Sequence, residues 1–216
     1  MWNLVTHEDR ALEPVVAWHA EPDRGYAVVK VCTWDRPRLF SRIAGALAAA
    51  RLNILGARIF SRPDGPVFDT LFVNDPETGK PPGREARERF EELLARSLRG
   101  EEVDFESLTK RTKAGAPIYR PAAFEAIPTT IRFDNDLMRG QTVIEIQAED
   151  HLGLLYDITR TLGDLRLEVE FARIGTEKGV AVDTFHVRES GRGTVLPRER
   201  WDEVEKRLRT TLETKG

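Results

Sequence analysis

The chain has 216 residues, which is enough for one ordinary domain or two small ones. Its 33 Lys and Arg residues against 36 Asp and Glu residues give a formal charge of −3, and this near-balance argues against nucleic-acid binding. The single cysteine, Cys32, excludes an internal disulfide and a cysteine-rich zinc site. The sequence has neither a secretory signal nor an apolar run of ~20 residues, so we expect a soluble cytoplasmic protein without a membrane partner.

Hydrophobic periodicity in the first half predicts a fixed order of strands and helices. Strands alternate apolar and polar residues, whereas the helices repeat apolar residues every three or four positions. The turn signal Pro63-Asp64-Gly65 separates the last two strands. The predicted strands are 15–19, 26–33, 53–61 and 67–73, and the predicted helices are 38–50 and 85–98.

The second half repeats the first at a shift of about 115 residues. The tripeptide Ala57-Arg58-Ile59 corresponds to Ala172-Arg173-Ile174, and Asp69-Thr70 corresponds to Asp183-Thr184 after a one-residue slip. A period this long indicates two related domains rather than a solenoid. The matching predicted strands are 130–134, 142–148, 168–176 and 180–187, and the predicted helices are 154–165 and 198–212.

Each repeat therefore has the order β-β-α-β-β-α, which predicts an α+β fold. A ferredoxin-like sandwich needs a fourth strand, and we expect the hairpin strand that precedes each repeat to take that place. The prediction is two sandwiches, each with a four-stranded antiparallel sheet and two helices on one face. The domain boundaries are predicted at 14–100 and 128–214, with an irregular linker at 101–127.

Two segments resemble the signature of the ACT domain family, whose members are ferredoxin-like units that bind amino acids and regulate enzymes. They are Asp35-Arg36-Pro37-Arg38-Leu39-Phe40 and Asp150-His151-Leu152-Gly153-Leu154-Leu155. The pair and its spacing resemble the C-terminal regulatory tandem of bifunctional PII-protein uridylyltransferase/uridylyl-removing enzymes. The resemblance implies an allosteric amino-acid effector, with glutamine as the expected one. It also implies catalytic domains in cis or in trans as partners, and a possible homodimer.

The turn from a strand into a helix is a suitable place for an amino acid, because the helix N-terminus attracts an α-carboxylate. A glycine such as Gly153 allows the ligand to approach the backbone, but the first repeat has Arg38 at that position. In this family the effector lies where two units meet. The resemblance thus implies a site made of Asp35, Arg36, Arg38, Asn53, Ile54, Asp150, His151, Gly153 and Leu154.

Other interpretations of these residues remain open. Asp35 and Asp150 also fit turn or helix-capping roles. Arg58 with Asp69 and Arg173 with Asp183 are expected to form cross-strand pairs that hold the register. The sequence has neither clustered metal ligands nor a nucleophile with its base, so we expect no cofactor and no catalysis by this chain alone. The alternative function is a ligand-free ACT dimerisation module, and RNA binding is a weaker third.

Overall fold

The computed structural model describes residues 13–60, 65–112, 128–177, 179–191 and 195–213. Within these ranges the chain forms eight strands and five α-helices. The strands are β1 (Val15–Glu21), β2 (Tyr26–Trp34), β3 (Asn53–Phe60), β4 (Pro66–Asn74), β5 (Thr130–Asp136), β6 (Gln141–Glu149), β7 (Leu167–Glu177) and β8 (Val180–Glu189). The helices are α1 (Leu39–Ala49), α2 (Arg84–Leu98), α3 (Phe105–Thr112), α4 (Leu154–Asp164) and α5 (Trp201–Glu213). The predicted residues Pro63 and Asp64 lie outside the described part of the chain.

All eight strands belong to one antiparallel sheet with the order β1-β2-β4-β3-β7-β8-β6-β5. The predicted α+β class is therefore confirmed, and β1 and β5 lie beside β2 and β6 as expected. The two predicted separate sheets are instead joined, because β3 pairs with β7. This pairing satisfies backbone groups that would otherwise be exposed at two sheet edges.

The junction between β3 and β7 has an approximate two-fold symmetry. Arg58 lies opposite Arg173, Ala57 opposite Ile174 and Ile59 opposite Ala172, so the repeated tripeptide pairs with its own copy. A bulge interrupts each strand at the same place, between Ile54 and Gly56 and between Val169 and Phe171. The two repeats are therefore arranged side by side about an axis through this arginine pair.

The helices cover one face of the sheet and form a continuous core with it. In β2 the alternate residues Ala27, Val29 and Val31 are at most 1% exposed, and Val29 and Val31 belong to the core between the sheet and the helices. Helices α1 and α4 pack against each other at the centre, with α2 beside α1 and α5 beside α4. None of the helices in the described ranges combines the length and apolar character that crossing a bilayer requires.

The expected pairing of Arg58 with Asp69 and of Arg173 with Asp183 is wrong. Arg58 lies opposite Thr70 and Arg173 lies opposite Thr184, one residue further along each partner strand. Because side chains alternate between faces, both aspartates point toward the helices and are at most 2% exposed. The arginines lie on the opposite face, which the helices leave open.

Part of the linker that the sequence predicts to be irregular is the helix α3. Its Phe105 is 5% exposed and contacts the ring of Tyr156 on α4 edge-to-face, at 5.8 Å between centroids. Glu106 accepts a hydrogen bond of 2.5 Å from Arg160, which also lies on α4. The helix therefore connects α1 and α4, while residues 113–127 of the predicted linker lie outside the described ranges.

Candidate functional site

Two equivalent loops lead from a strand into a central helix. Loop 1, residues 35–38, connects β2 with α1, and loop 2, residues 150–153, connects β6 with α4. The Asp35 N–H donates to the carbonyl of Gly65 at 3.1 Å, and the Asp150 N–H donates to that of Gly179 at 2.9 Å. Each loop is thus tied to the hairpin turn of its own repeat.

Both central helices begin at a residue in the left-handed backbone region. Gly153 has φ 91° and Arg38 has φ 62°, and neither helix has a side-chain hydrogen bond at its N-cap. The amide groups of the first helical turn have no intrahelical acceptors, and the helix dipole favours an anion beside them. The N-cap residues are Arg38 and Gly153 rather than Asp35 and Asp150, and Asp35 accepts a hydrogen bond from the Arg36 N–H at 2.9 Å within the turn.

Each loop borders a cavity to which both repeats contribute. The loop-1 cavity has a volume of about 500 Å³, in the range of small-molecule sites, whereas the loop-2 cavity has about 20 Å³, which suits a water molecule. The loop-1 cavity is lined by residues 35–41, Asp69, Thr159, Gly163, residues 166–170 and Ser190. The loop-2 cavity is lined by Ala44, Ala48, residues 52–54, Asp150, His151, residues 153–156, Ile174, Thr176, Ala181 and Asp183.

The nine residues predicted as an effector site are divided between these cavities. Asp35, Arg36 and Arg38 border the loop-1 cavity. The other six border the loop-2 cavity: Asn53, Ile54, Asp150, His151, Gly153 and Leu154. Asn53 and Ile54 come from the first repeat and the other four from the second, so the loop-2 group is formed where the repeats meet. Their role in binding stays a prediction.

Asp150 is the centre of the hydrogen bonds at the loop-2 cavity. Burial raises its pKa to about 6, while hydrogen bonds from the Thr176 hydroxyl, the Asn53 amide and the His151 N–H oppose that rise. Asn53 is 6% exposed and belongs to β3, so its contact crosses from the first repeat to the second. His151 itself has Nδ1 at 3.2 Å from the carbonyl oxygen of Leu152.

Asp183 is a second carboxylate at this cavity, although its sequence pattern predicted only a role in strand register. Burial raises its pKa to about 7, and the charge of Asp150 adds to the rise, while the Gly175 N–H, at 3.3 Å, opposes it. The sequence does contain a sign that both aspartates are buried. Asp69 and Asp183 each lie on a strand face where the neighbouring residues are apolar. Asp69 occupies the equivalent place at the loop-1 cavity.

The arginines of loop 1 have partners within the fold. Arg36 donates to the Leu98 carbonyl at the end of α2, at 2.8 Å. Arg38 forms an ion pair with Asp164 at 2.9 Å and lies within 3.4 Å of the Gly163 carbonyl. Where the loop-2 cavity has Asn53, the loop-1 cavity has the exposed carboxylate of Glu168. The two cavities are therefore equivalent in position but different in chemistry.

A complementary exchange of residues explains how Arg38 fits at the glycine position. Across the interface from Gly153 lies Ala48, whose Cβ would be 3.8 Å from a Cβ at position 153. Across from Arg38 the equivalent residue is Gly163, where a Cβ would lie 3.2 Å from Cγ of Arg38. The second repeat therefore has a glycine, Gly163, where a side chain would crowd that of Arg38.

Replacing Arg38 by glycine and by alanine tests the backbone strain at this position. Both variants lose the ion pair with Asp164, but only alanine retains a Cβ in the left-handed region. We expect Arg38→Gly to be more stable than Arg38→Ala by about 1 kcal/mol in urea unfolding. Equal stability of the two variants would contradict the assigned conformation.

Among the described residues, no group of three or more His, Cys, Asp or Glu side chains is placed to hold a metal ion. The arrangement instead offers carboxylates, an amide and a helix N-terminus. These groups suit a zwitterionic or water-sized guest.

Comparison with known proteins connects this architecture with one family. Residues 130–215 match the model of the ACR9-like, ACT-like domain. The second repeat therefore contains an ACT-like domain. The bifunctional uridylyltransferase/uridylyl-removing enzyme of Cereibacter sphaeroides is 35% identical over 178 residues, which are 82% of this chain and 19% of the enzyme. That of Azospirillum brasilense is 37% identical over 172 residues, covering 77% and 18% of the two chains.

Further relatives agree with this result. The uridylyltransferase/uridylyl-removing enzyme of Novosphingobium aromaticivorans is 36% identical over 210 residues, 93% of this chain and 22% of the enzyme. The chain therefore spans about a fifth of the length of these relatives. Among solved structures, aspartate kinase from Synechocystis has a TM-score of 0.47 at 13% identity, covering 86% of this chain and 27% of its own.

Proposed function

We propose that this protein is an amino-acid-responsive regulatory module of a cytoplasmic PII uridylyltransferase/uridylyl-removing enzyme, with glutamine as the effector. The observation that supports the proposal best is the loop-2 cavity, where Asn53 of one repeat meets Asp150 of the other. Its catalytic domains would be linked in cis or bound in trans. The chain itself would regulate and not catalyse.

The groups around the loop-2 cavity are complementary to an amino acid. An α-carboxylate would accept hydrogen bonds from the first turn of α4 beyond Leu154, whose own N–H donates to the His151 carbonyl at 3.0 Å. An α-ammonium would lie beside Asp150 and Asp183, which lack a cationic partner in the described residues that form the cavity. A cation there would offset the cost of burying two carboxylates.

The small volume of the loop-2 cavity gives the binding step an allosteric consequence. A cavity of about 20 Å³ has no room for an amino acid, so the effector must bind to a wider form. Ala44 and Ala48 of α1 form one wall and loop 2 forms the other, so widening separates parts of the two repeats. A ligand that binds only the wide form shifts the population toward it.

Isothermal titration with glutamine at pH 5.5 and pH 8 tests this site. Because an ammonium favours ionised Asp150 and Asp183, we expect binding to be about tenfold tighter at pH 8 and to release protons. Asp183→Asn should weaken binding at pH 8 and remove most of the pH dependence. Asp69→Asn, at the equivalent place beside loop 1, is the matched control and should bind like the wild type.

The same titrations distinguish the alternatives. If Asp69→Asn alone lost binding, the effector would bind in the loop-1 cavity instead of the loop-2 cavity. An absence of heat with glutamine and with the other common amino acids would contradict the sensor function. It would favour a ligand-free structural module, for which the small loop-2 cavity is the supporting observation.

A further inference from the structure

A row of basic side chains crosses the open face of the sheet, opposite the helices. The register across all eight strands aligns Ala17, Lys30, Thr70, Arg58, Arg173, Thr184, Glu145 and Arg132. Seven strand spacings make this row about 33 Å long. It contains four cations and one anion, and all five charged residues are exposed. We call it the basic row.

The centre of the basic row is electrostatically unfavourable in the isolated chain. Arg58 and Arg173 are directly opposite each other on adjacent strands, where like charges are destabilising. In the part of the chain that the structure describes, neither guanidinium has an acidic partner. The fold thus holds two adjacent guanidinium groups toward solvent, a geometry that matches one or two carboxylates.

Apolar side chains lie next to the basic row on the same face. Val15, Cys32 and Phe68 are neighbours across β1, β2 and β4, and Phe68 is 54% exposed. In the second repeat Val182 is also 54% exposed. Arginine with adjoining aromatic and aliphatic surface is the composition of a protein interface rather than of a site for a small free anion.

We propose that the open sheet face docks an acidic protein segment, whose carboxylates pair with Arg58 and Arg173 and whose apolar side chains cover Phe68. A second copy docked by the same face about a two-fold axis would bring the arginine pair against itself. The formal charge of −3 makes the basic row a local feature, which disfavours nucleic acid as the occupant. This proposal does not depend on amino-acid binding at the loop-2 cavity.

The test uses a fluorescein-labelled octapeptide of alternating glutamate and leucine, with a glutamine–leucine peptide for comparison. We expect the glutamate peptide to bind the whole chain at low salt, and Arg58→Gln/Arg173→Gln to weaken it at least tenfold. The matched control Lys206→Gln/Arg207→Gln removes the same charge from exposed positions on α5 and should leave binding unchanged. Each single arginine variant should also raise Tm by roughly 1–3 °C through relief of repulsion.

Several results would overturn the proposal. If the two peptides bound equally, or if the double variant bound as tightly as the wild type, carboxylates would not pair with Arg58 and Arg173. A single-stranded oligonucleotide that binds through the same arginines would identify a different class of partner. A dimer in sedimentation that dissociates in the double variant would identify a second copy. A lower Tm in both single variants would show that the arginines stabilise the fold.

Discussion

Asp183→Asn is expected to raise the free energy of unfolding at pH 8 by on the order of 3 kcal/mol. The wild-type carboxyl is 2% exposed, and its pKa rises from 3.8 to about 7 on folding. Ionising it in the folded state therefore costs on the order of 4 kcal/mol at alkaline pH. An amide avoids that cost, and its oxygen can still accept the hydrogen bond from the Gly175 N–H.

The sign of the pH dependence follows from the direction of this shift. Because the folded pKa of Asp183 is above the unfolded value, the folded state binds the proton more tightly. The wild type is therefore most stable below about pH 4 with respect to this group, and it loses that stability as pH rises through about 7. The advantage of Asp183→Asn should be less than half as large at pH 5 as at pH 8.

Urea unfolding of both proteins at pH 5 and pH 8 measures the effect. Asp202→Asn, on the exposed first turn of α5, is the control and should produce a similar change at both pH values. If Asp183→Asn were less stable than the wild type at pH 8, the buried carboxylate would have a stabilising partner. That result would weaken the argument that the loop-2 cavity accepts a cation.

An expected gain in stability from removing a buried charge also bears on function. Folding alone does not require a carboxylate at this position, since an apolar or amide side chain would cost less. Proteins commonly keep such costly groups at sites of binding. The effector proposal gives Asp183 a use that the core does not.

The sequence predicted the elements of this fold because the repeat supplied each pattern twice. The alternation in 26–33 and 142–148 and the apolar stripe of 38–50 placed the strands and the first helix within two residues. The junction between β3 and β7 was not predicted. The residues of both strands alternate in the same way whether the strand is at an edge or in the middle of a sheet, so periodicity does not reveal the neighbour.

The division of the predicted site residues between two cavities could not be predicted from the sequence either. Asn53 and Asp150 contact each other only because the repeats meet side by side, and the shift of about 115 residues says nothing about that arrangement. Asp183 was predictable in part, since it and its equivalent Asp69 each occupy a strand position whose neighbours on the same face are apolar. The register error arose because Asp69 was paired with Arg58 on proximity in the hairpin, without the alternation of faces.

The helix α3 escaped prediction because it is short and polar apart from a few positions. Its eight residues include only Phe105 and Leu108 as large apolar side chains, too few to establish a periodic stripe. Helix α3 packs against α1 at Gly45, where the absence of a side chain leaves room for Phe105. A glycine inside a helix otherwise lowers helix stability, so this one indicates a close approach.

Gly45→Ala is expected to displace α3 from the rest of the molecule. The new Cβ would lie 2.6 Å and 2.8 Å from ring atoms of Phe105 and 2.9 Å from the ring of Tyr156. Relief of such contacts typically costs about 1–3 kcal/mol, and the helix propensity of alanine returns about 1 kcal/mol to α1. The net loss should therefore be local, with faster amide exchange at 105–112 and little change in global unfolding.

Hydrogen exchange at 105–112 checks this expectation. Gly83→Ala is the matched control, because a Cβ there meets no atom within 4 Å. Phe105→Leu removes one of the two rings that the new Cβ would meet, so the double variant Gly45→Ala/Phe105→Leu should exchange more slowly at 105–112 than Gly45→Ala alone. If the amides of α3 were as well protected in Gly45→Ala as in the wild type, the new methyl group would be accommodated without displacing α3, and the prediction would be wrong.

The displacement of α3 has a further consequence at the loop-2 cavity. Ala44 and Ala48, which form one wall of that cavity, flank Gly45 on α1, and Thr109 of α3 lies beside Gly153. From this position we expect the packed α3 to hold α1 against α4 and to keep the cavity small. Gly45→Ala should therefore lower the cost of widening the cavity, and under the proposed function it should tighten glutamine binding severalfold. Weaker binding would show instead that α3 supports the liganded form.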